Sequence, residues 1–217
     1  MLGRMSKAPH RLFFDAWSRV YDLAPVQLAV YRPVHARVLR ELASGDLKRL
    51  LDIGCGTGNL TSRLAQSARA ELVAGCDFSF GMLEQAAAKR VPAAWLQGDA
   101  ARLPIRDGSV DAVTSTDSFH WFPDPDGALA ELRRVLRPGG RLIIAVVNPR
   151  LGATASLFRA GSTLLGEPAR WPTRAELAQR MERAGFVVRS QQRVVRAAGI
   201  AFPTYVTVGV APPSGAG

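Results

Sequence analysis

The stretch Leu50-Leu51-Asp52-Ile53-Gly54-Cys55-Gly56-Thr57-Gly58-Asn59-Leu60 constrains this chain more than any other. A short apolar run rich in Leu and Ile predicts a buried parallel strand. It breaks into three glycines at alternate positions, and a helical pattern follows. Glycine takes positive φ freely and has no Cβ, so such a turn lets backbone N–H groups approach a ligand closely. The acid Asp52 stands near the strand end, where a carboxylate suits a ligand bearing an ammonium group better than one bearing a phosphate. Dinucleotide-binding domains also open on a glycine-rich strand–turn–helix, but with the spacing G-x-G-x-x-G. Here the third glycine, Gly58, comes one position early, Asn59 holds the dinucleotide slot, and Asp52 would repel a pyrophosphate. The plain alternative is a glycine turn that binds nothing.

Two later stretches bear on that choice. Glu71–Cys76 predicts a second strand, and it ends in Asp77. An acid at that strand end, about 20 residues past the glycines, is where a ribose diol is gripped by carboxylate oxygens. Asp77-Phe78-Ser79 leads into Met82-Leu83, with Ser79 placed to cap a helix; capping alone is the bland role for Asp77. Pro92–Gln97 predicts a third strand, followed by Gly98-Asp99-Ala100. Taken in order, these stretches resemble the class I S-adenosylmethionine-dependent methyltransferases. Their first motif is acid-apolar-Gly-x-Gly-x-Gly and their second is Asp-x-Ser-x-x-Met-Leu. The resemblance implies that S-adenosyl-L-methionine is bound by Asp52, Gly54, Cys55, Gly56, Gly58, Asp77, Phe78, Met82, Asp99 and Ala100. In it, Asp99 accepts a hydrogen bond from the adenine amino group, with the Ala100 N–H beside it.

The fourth strand, Val110–Ser115, runs into Thr116-Asp117-Ser118-Phe119-His120-Trp121-Phe122. Ligands of open α/β sheets bind at this carboxyl edge, so Phe119, Trp121 and Phe122 are expected to form an apolar wall. His120 is the histidine near the chemistry, and an imidazole with a reference pKa of about 6.5 is a candidate general base for an oxygen nucleophile. Its other reading is a hydrogen-bonded wall residue that moves no proton. Thr116 stands where the family often has Asn, and the resemblance makes it a cofactor contact. The chain has no Asn-Pro-Pro-Tyr for holding an exocyclic amino group and no cysteine here for covalent attack on a pyrimidine. Asp111, where the loop Asp107-Gly108-Ser109 enters this strand, reads as structural.

Ahead of the glycines, Arg11–Ala43 reads as helical, with aromatic residues at helical spacing, a break at Pro25 and a fresh start near Tyr31–Arg32 set by Pro33. Phe14-Asp15 followed by Tyr21-Asp22 resembles the lead-in of the type 11 small-molecule group. That implies that Tyr21 closes over the cofactor and that Trp17 lines the acceptor pocket; the bland role of both is core packing. Ala128–Leu136 predicts a helix stopped by Pro138-Gly139-Gly140, before a fifth strand Arg141–Val147. Thr173-Arg174-Ala175-Glu176 is a capping box opening a helix with Gly185 as its stop. Phe186–Val195 and Thr204–Val210 alternate as strands.

The 217 residues, 47% hydrophobic, predict one domain with one core. Its parts are a helical cap over 1–45, a cofactor-binding core over 46–147, a variable lid or substrate segment over 148–172, and a closing helix and strands over 173–217. The resemblance implies a Rossmann-like, doubly wound, seven-stranded, mostly parallel sheet with an antiparallel closing strand. Two cysteines argue against a disulfide scaffold and for a reducing, cytoplasmic compartment. No apolar run reaches the length of a membrane span. A net charge of +10 invites nucleic acid as a partner, yet the arginines are scattered without interleaved aromatics. A small-molecule acceptor is therefore expected. The competing readings are an RNA methyltransferase and a cofactor-binding regulator without turnover.

Overall fold

The computed structural model describes residues 31–67, 70–147, 171–194 and 204–213. Trp17, Tyr21 and the rest of the chain ahead of residue 31, expected to be helical from Arg11, lie outside the described residues, as does most of the expected lid. The strands are β1 (Arg49–Ile53), β2 (Leu72–Asp77), β3 (Ala94–Gln97), β4 (Val110–Thr116), β5 (Leu136–Val147), β6 (Val187–Val194) and β7 (Thr204–Val210). Between them run α1 (Arg32–Leu42), α2 (Asn59–Ser67), α3 (Phe80–Ala88), a 3-10 turn (Phe119–Trp121), α4 (Pro125–Val135) and α5 (Arg174–Arg183).

The strands form one 7-stranded sheet in the order β3-β2-β1-β4-β5-β7-β6. β1 through β5 pair in parallel, while β7 is antiparallel to both β5 and β6. Strand order reverses beside β1, whose neighbours are β2 on one side and β4 on the other. Such a switch point leaves a crevice outside the carboxyl ends of the strands, where two connections part to opposite faces. The glycine loop after β1, Asp77 at the end of β2 and the 3-10 turn after β4 all belong to that edge.

The core alternates through the sheet as a period of two requires. Leu51, Ile53, Leu142 and Ile144 join Leu129 and Leu132 of α4 and Leu177 and Met181 of α5 on one face. Leu50, Ile143 and Ala145 join Val34 and Val38 of α1 and Leu60 and Leu64 of α2 on the other. Pro33 lies in the first turn of α1, where its missing N–H costs nothing. Thr173 and Glu176 complete their capping box at the start of α5.

One boundary departs from the sequence pattern. Helix α4 begins at Pro125, capped by the Asp124 carboxylate on the Gly127 N–H, and is over at Val135. Leu136 already pairs with Val110. The Pro138-Gly139-Gly140 run therefore lies within the long fifth strand. There Gly139 N–H donates to the Ala211 carbonyl at 2.7 Å and Ala211 N–H donates to the Gly140 carbonyl at 2.9 Å. Gly140 has a packing reason as well, since a side chain there would begin 2.8 Å from the Arg137 carbonyl oxygen.

Asp111 ties the opposite edge together. Its Oδ2 accepts the Lys48 and Arg49 N–H groups at 2.8 and 2.7 Å, and its Oδ1 accepts from the Arg137 guanidinium. Burial pushes this carboxyl up, but the bonds from Arg49, Arg137 and Lys48 outweigh it and hold it below the usual carboxylate range. Asp111→Ala should lower stability by about 1–3 kcal/mol at neutral pH. A group with a depressed folded pKa gives up its contribution as it is protonated. Urea midpoints of parent and variant should therefore converge as the pH falls below about 4; a gap independent of pH would refute this role.

Candidate functional site

The three glycines of the loop all have positive φ, 65° at Gly54, 56° at Gly56 and 75° at Gly58, but for different reasons. A side chain on Gly54 would begin 2.4 Å from the Ser118 Cβ, and one on Gly58 would begin 2.4 Å from the Trp95 ring. Those two positions are glycine because the protein itself fills the space. Among the described residues, a side chain on Gly56 would meet nothing nearer than the Met82 Sδ at 4.0 Å. Of the three, Gly56 is thus the one that the described residues leave open.

The loop is held from the neighbouring strand. Gly54 and Cys55 N–H groups both donate to the Cys76 carbonyl, at 2.8 and 3.2 Å. Gly56 N–H donates to Asp77 Oδ2 at 2.7 Å, and Ser79 N–H donates to Asp77 Oδ1 at 2.9 Å. Ser79 in turn caps α3 by accepting the Met82 N–H at 3.3 Å. Burial pushes the Asp77 carboxyl up, against the bonds from Ser79 and Gly56 that favour its charge. Asp77 is therefore the anchor of the glycine loop, not a carboxylate standing clear of the fold. Each carboxylate oxygen still offers a second lone pair, so a diol can share it.

Asp52 is placed differently from the expectation that it meets a ligand's ammonium group. It is 1% exposed and lies on the α1–α2 side of β1, because it alternates with Leu51 and Ile53. Its oxygens accept the Thr61 and Thr114 hydroxyls at 2.7 and 2.8 Å, tying β1 to α2 and β4. Burial raises its carboxyl to about 6 despite those two bonds, and the Asp77 charge adds to the rise. Cys55 and Cys76 are buried free thiols. Burial pushes both up, Cys76 to about 12, so they act as small packing groups.

At the end of β3, Asp99 is exposed, with Oδ1 accepting the Ala101 N–H at 2.9 Å and Ala100 beside it. Phe78 is 47% exposed, whereas Met82 is buried against the Gly56 side of the loop. Two contributors carry no motif. Trp95 of β3 lies where side chains on Gly58 and Gly75 would go. Lys89, at the end of α3, donates to Asn59 Oδ1 at 2.5 Å and to Thr57 Oγ1 at 3.4 Å, bracing the start of α2. A lone aromatic in an edge strand and a lone lysine after a helix give no sequence signal for such contacts.

After β4, Thr116 pairs with Ala145 and is half-buried. Of the expected aromatic wall, Phe119 belongs to the core instead, 2% exposed and edge-on to Phe122. Phe122 takes its place beside the loop, with Cε1 3.7 Å from where a Gly54 side chain would begin. His120 is 7% exposed, its ring 5.0 Å from that of Trp121 and stacked on Trp171 at 5.4 Å. Burial pushes its imidazole down to about 3. Nδ1 is buried, with no hydrogen-bond partner among the described residues. Trp171 went unremarked in the sequence, since only the tertiary fold brings the entry to α5 against this turn.

Residues 51–144 match the family described as a methyltransferase domain. A demethylmenaquinone methyltransferase of Mycolicibacterium vanbaalenii is 35% identical over 206 residues, covering 84% of this chain and 89% of that protein. The protein of the same name from Deinococcus radiodurans is 34% identical over 206 residues, covering 83% and 86%. Among solved structures, a Haloferax volcanii methyltransferase in complex with the Trm112 methyltransferase activator superposes with a TM-score of 0.76 at 26% identity, covering 92% of this chain and 97% of that one. Magnesium protoporphyrin IX methyltransferase from Synechocystis, with bound S-adenosylhomocysteine, shares the fold at a TM-score of 0.68 and 22% identity, covering 92% and 94%.

The open space at Gly56 has a matched control. Gly108 also has positive φ, 58°, and a side chain there would meet only the Arg137 Cα at 3.9 Å, in the turn before β4. Alanine at either site should cost about 1–2 kcal/mol of backbone strain. Only Gly56→Ala should also weaken S-adenosylhomocysteine, by about tenfold or more in calorimetric titration. Unchanged affinity would move the ligand away from this loop. Gly75 cannot serve as a control, because a side chain there would run into Trp95 and Cys55.

Asp52 gives a pH test. A carboxyl raised from 3.8 to about 6 has its full stabilising contribution below its unfolded pKa and loses it as the pH rises through the folded one. Asp52→Asn escapes that loss. Urea titrations should show the variant gaining on the parent by about 1–3 kcal/mol between pH 4 and pH 7.5. A pH-independent difference would contradict it.

Proposed function

This chain belongs to the S-adenosylmethionine-dependent methyltransferases, and we propose that its small-molecule acceptor is a reduced quinone of the demethylmenaquinone type, methylated on the ring. The relatives that cover more than four-fifths of this chain carry that acceptor in their names. The observation that carries the reading is the wall beside the glycine loop. It is built from Phe122, Trp121 and Trp171, and its titratable member, His120, is held neutral. A flat apolar ring is recognised by stacking and burial, with few polar contacts to orient it.

The room at Gly56 and the spare lone pairs of Asp77 fit an adenosine-bearing cofactor. When bound, the cofactor would supply a sulfonium methyl: the ring carbon's electron pair would form the new C–CH3 bond as the S–CH3 bond breaks, and the proton on that carbon would pass to water. Everything asked of the protein is orientation, which is the larger part of such a displacement. Gly56 lets the backbone approach, Asp77 accepts from the ribose hydroxyls while holding the loop, and the exposed Asp99 carboxylate accepts from the adenine amino group. Met82 and Phe78 border the same space, and Thr116 ends the strand beside it. Residues 46–147 supply the cofactor contacts.

A hydroquinone ring is already electron-rich, so little base strength is required. An imidazole held at about 3 is a poor match for proton abstraction near neutrality. Neutral His120 keeps one nitrogen as an acceptor, which suits a hydroxyl of the reduced ring.

Incubation with S-adenosylmethionine and a chemically reduced short-chain demethylmenaquinone should yield S-adenosylhomocysteine and a ring-methylated product by mass spectrometry. Product on an oxygen or nitrogen acceptor but none on the quinol would overturn the acceptor. Across pH 6–8 kcat should show no histidine step, because His120 stays neutral throughout. A step near the ordinary imidazole value of about 6.5, abolished by His120→Gln, would restore it as a base.

A further inference from the structure

Ser118 stands between the two halves of the site and has no part in the contacts assigned above to either ligand. Its side chain reaches the cofactor loop. Cβ and Oγ lie 2.4 and 2.5 Å from where a Gly54 side chain would begin, and Oγ donates to the Ile53 carbonyl at 3.1 Å. Its main chain starts the acceptor wall: the Ser118 carbonyl accepts the Trp121 N–H at 2.9 Å, opening the turn that carries His120 and Trp121.

Both contacts are constrained from behind. Gly54 cannot recede, because its N–H is bonded to the Cys76 carbonyl at 2.8 Å. Ser118 cannot swing out freely, because Ser115 Oγ holds its hydroxyl at 2.8 Å. The preceding Asp117 is pinned at a φ of 52° with its N–H on the Ala145 carbonyl at 2.9 Å. A left-handed aspartate persists only where the surroundings over-determine it. A shift of the loop around Gly54 must therefore pass into the turn bearing His120 and Trp121.

We propose that Ser118 is a positioning residue that couples occupancy of the cofactor loop to the order of the acceptor wall. It acts through Gly54 and Ile53 on one side and through the 3-10 turn on the other. The methyl donor and the ring that receives it are then held in one geometry by a single side chain. The activity arm of the test rests on the methyltransferase reading; the exchange arm needs only S-adenosylhomocysteine.

In the parent, S-adenosylhomocysteine should slow amide exchange at Trp121 and Phe122, whose N–H groups close the turn. Ser118→Ala should bind S-adenosylhomocysteine within about threefold of the parent, since the bond from Gly56 to Asp77 is untouched, yet show no such slowing. Its kcat should fall about ten- to hundredfold, as a small misplacement of reacting groups costs. Ser118→Thr, which keeps the hydroxyl, should recover most of it. Ser115→Ala removes one of the two bonds to the hydroxyl and should fall between, so the proposal stays testable if Ser118→Ala folds poorly. Protection retained in Ser118→Ala, absent in the parent, or a kcat loss that merely tracks weakened S-adenosylhomocysteine binding would overturn the coupling. Failure of the parent to methylate the quinol, with the exchange result intact, would count against the acceptor and not against Ser118.

Discussion

The hydrogen bond from the Gly56 N–H to Asp77 Oδ2, 2.7 Å long, is what the rest of the site depends on. A parallel sheet brings the ends of β1 and β2 side by side, Ile53 against Cys76 in register, so the turn leaving one strand can be tied to the acid ending the other. With Gly54 and Cys55 bonded to the Cys76 carbonyl, the loop has its backbone donors partly spent on the protein before any ligand arrives. The loop is rigid in advance, which lowers the entropic cost of binding. The same carboxylate starts α3 by way of Ser79, so one buried charge organises a loop, a helix and a ligand edge.

That arrangement stores free energy in buried acids. Asp52 and Asp77 both sit where burial disfavours their charge, and the Asp77 charge adds to the cost at Asp52. Hydroxyls and backbone N–H groups offset part of the penalty. An apolar pair at these positions would escape that penalty but leave the Thr61 and Thr114 hydroxyls and the Gly56 and Ser79 N–H groups without these acceptors, and the loop untied. Sites of this kind commonly trade stability for a held geometry.

Most of the architecture was legible because its signals are local. Strand β1 follows from a short apolar run, α5 from its capping box, and the start of α1 from Pro33. β7 as an antiparallel closing strand followed from family resemblance, since alternation in Thr204–Val210 states only that a strand exists. The end of α4 differs because Leu136 continues the apolar spacing of the helix, and only its pairing with Val110 takes it into the sheet. Phe119 differs for a related reason: a 3-10 turn repeats every three residues and so sets Phe119 beside Phe122, and only the packing says that this side is core.

By itself, the sequence determined the glycine turn, the acids near the ends of β1, β2 and β3, and their order along the chain. These are properties of short stretches whose backbone demands are met by particular residue types. Tertiary structure alone decided which of those groups reaches the ligand space. Three glycines equal in sequence divide into two filled by Ser118 and Trp95 and one left open, because those side chains arrive from residues far along the chain. Asp52 turns inward to Thr61 and Thr114 while Asp77 closes the loop, since the alternation of a strand sets which face an acid takes and its neighbours set what it bonds. His120 becomes a neutral wall residue for the same reason: the rings of Trp121 and Trp171 that close around it bring together positions that no local pattern connects.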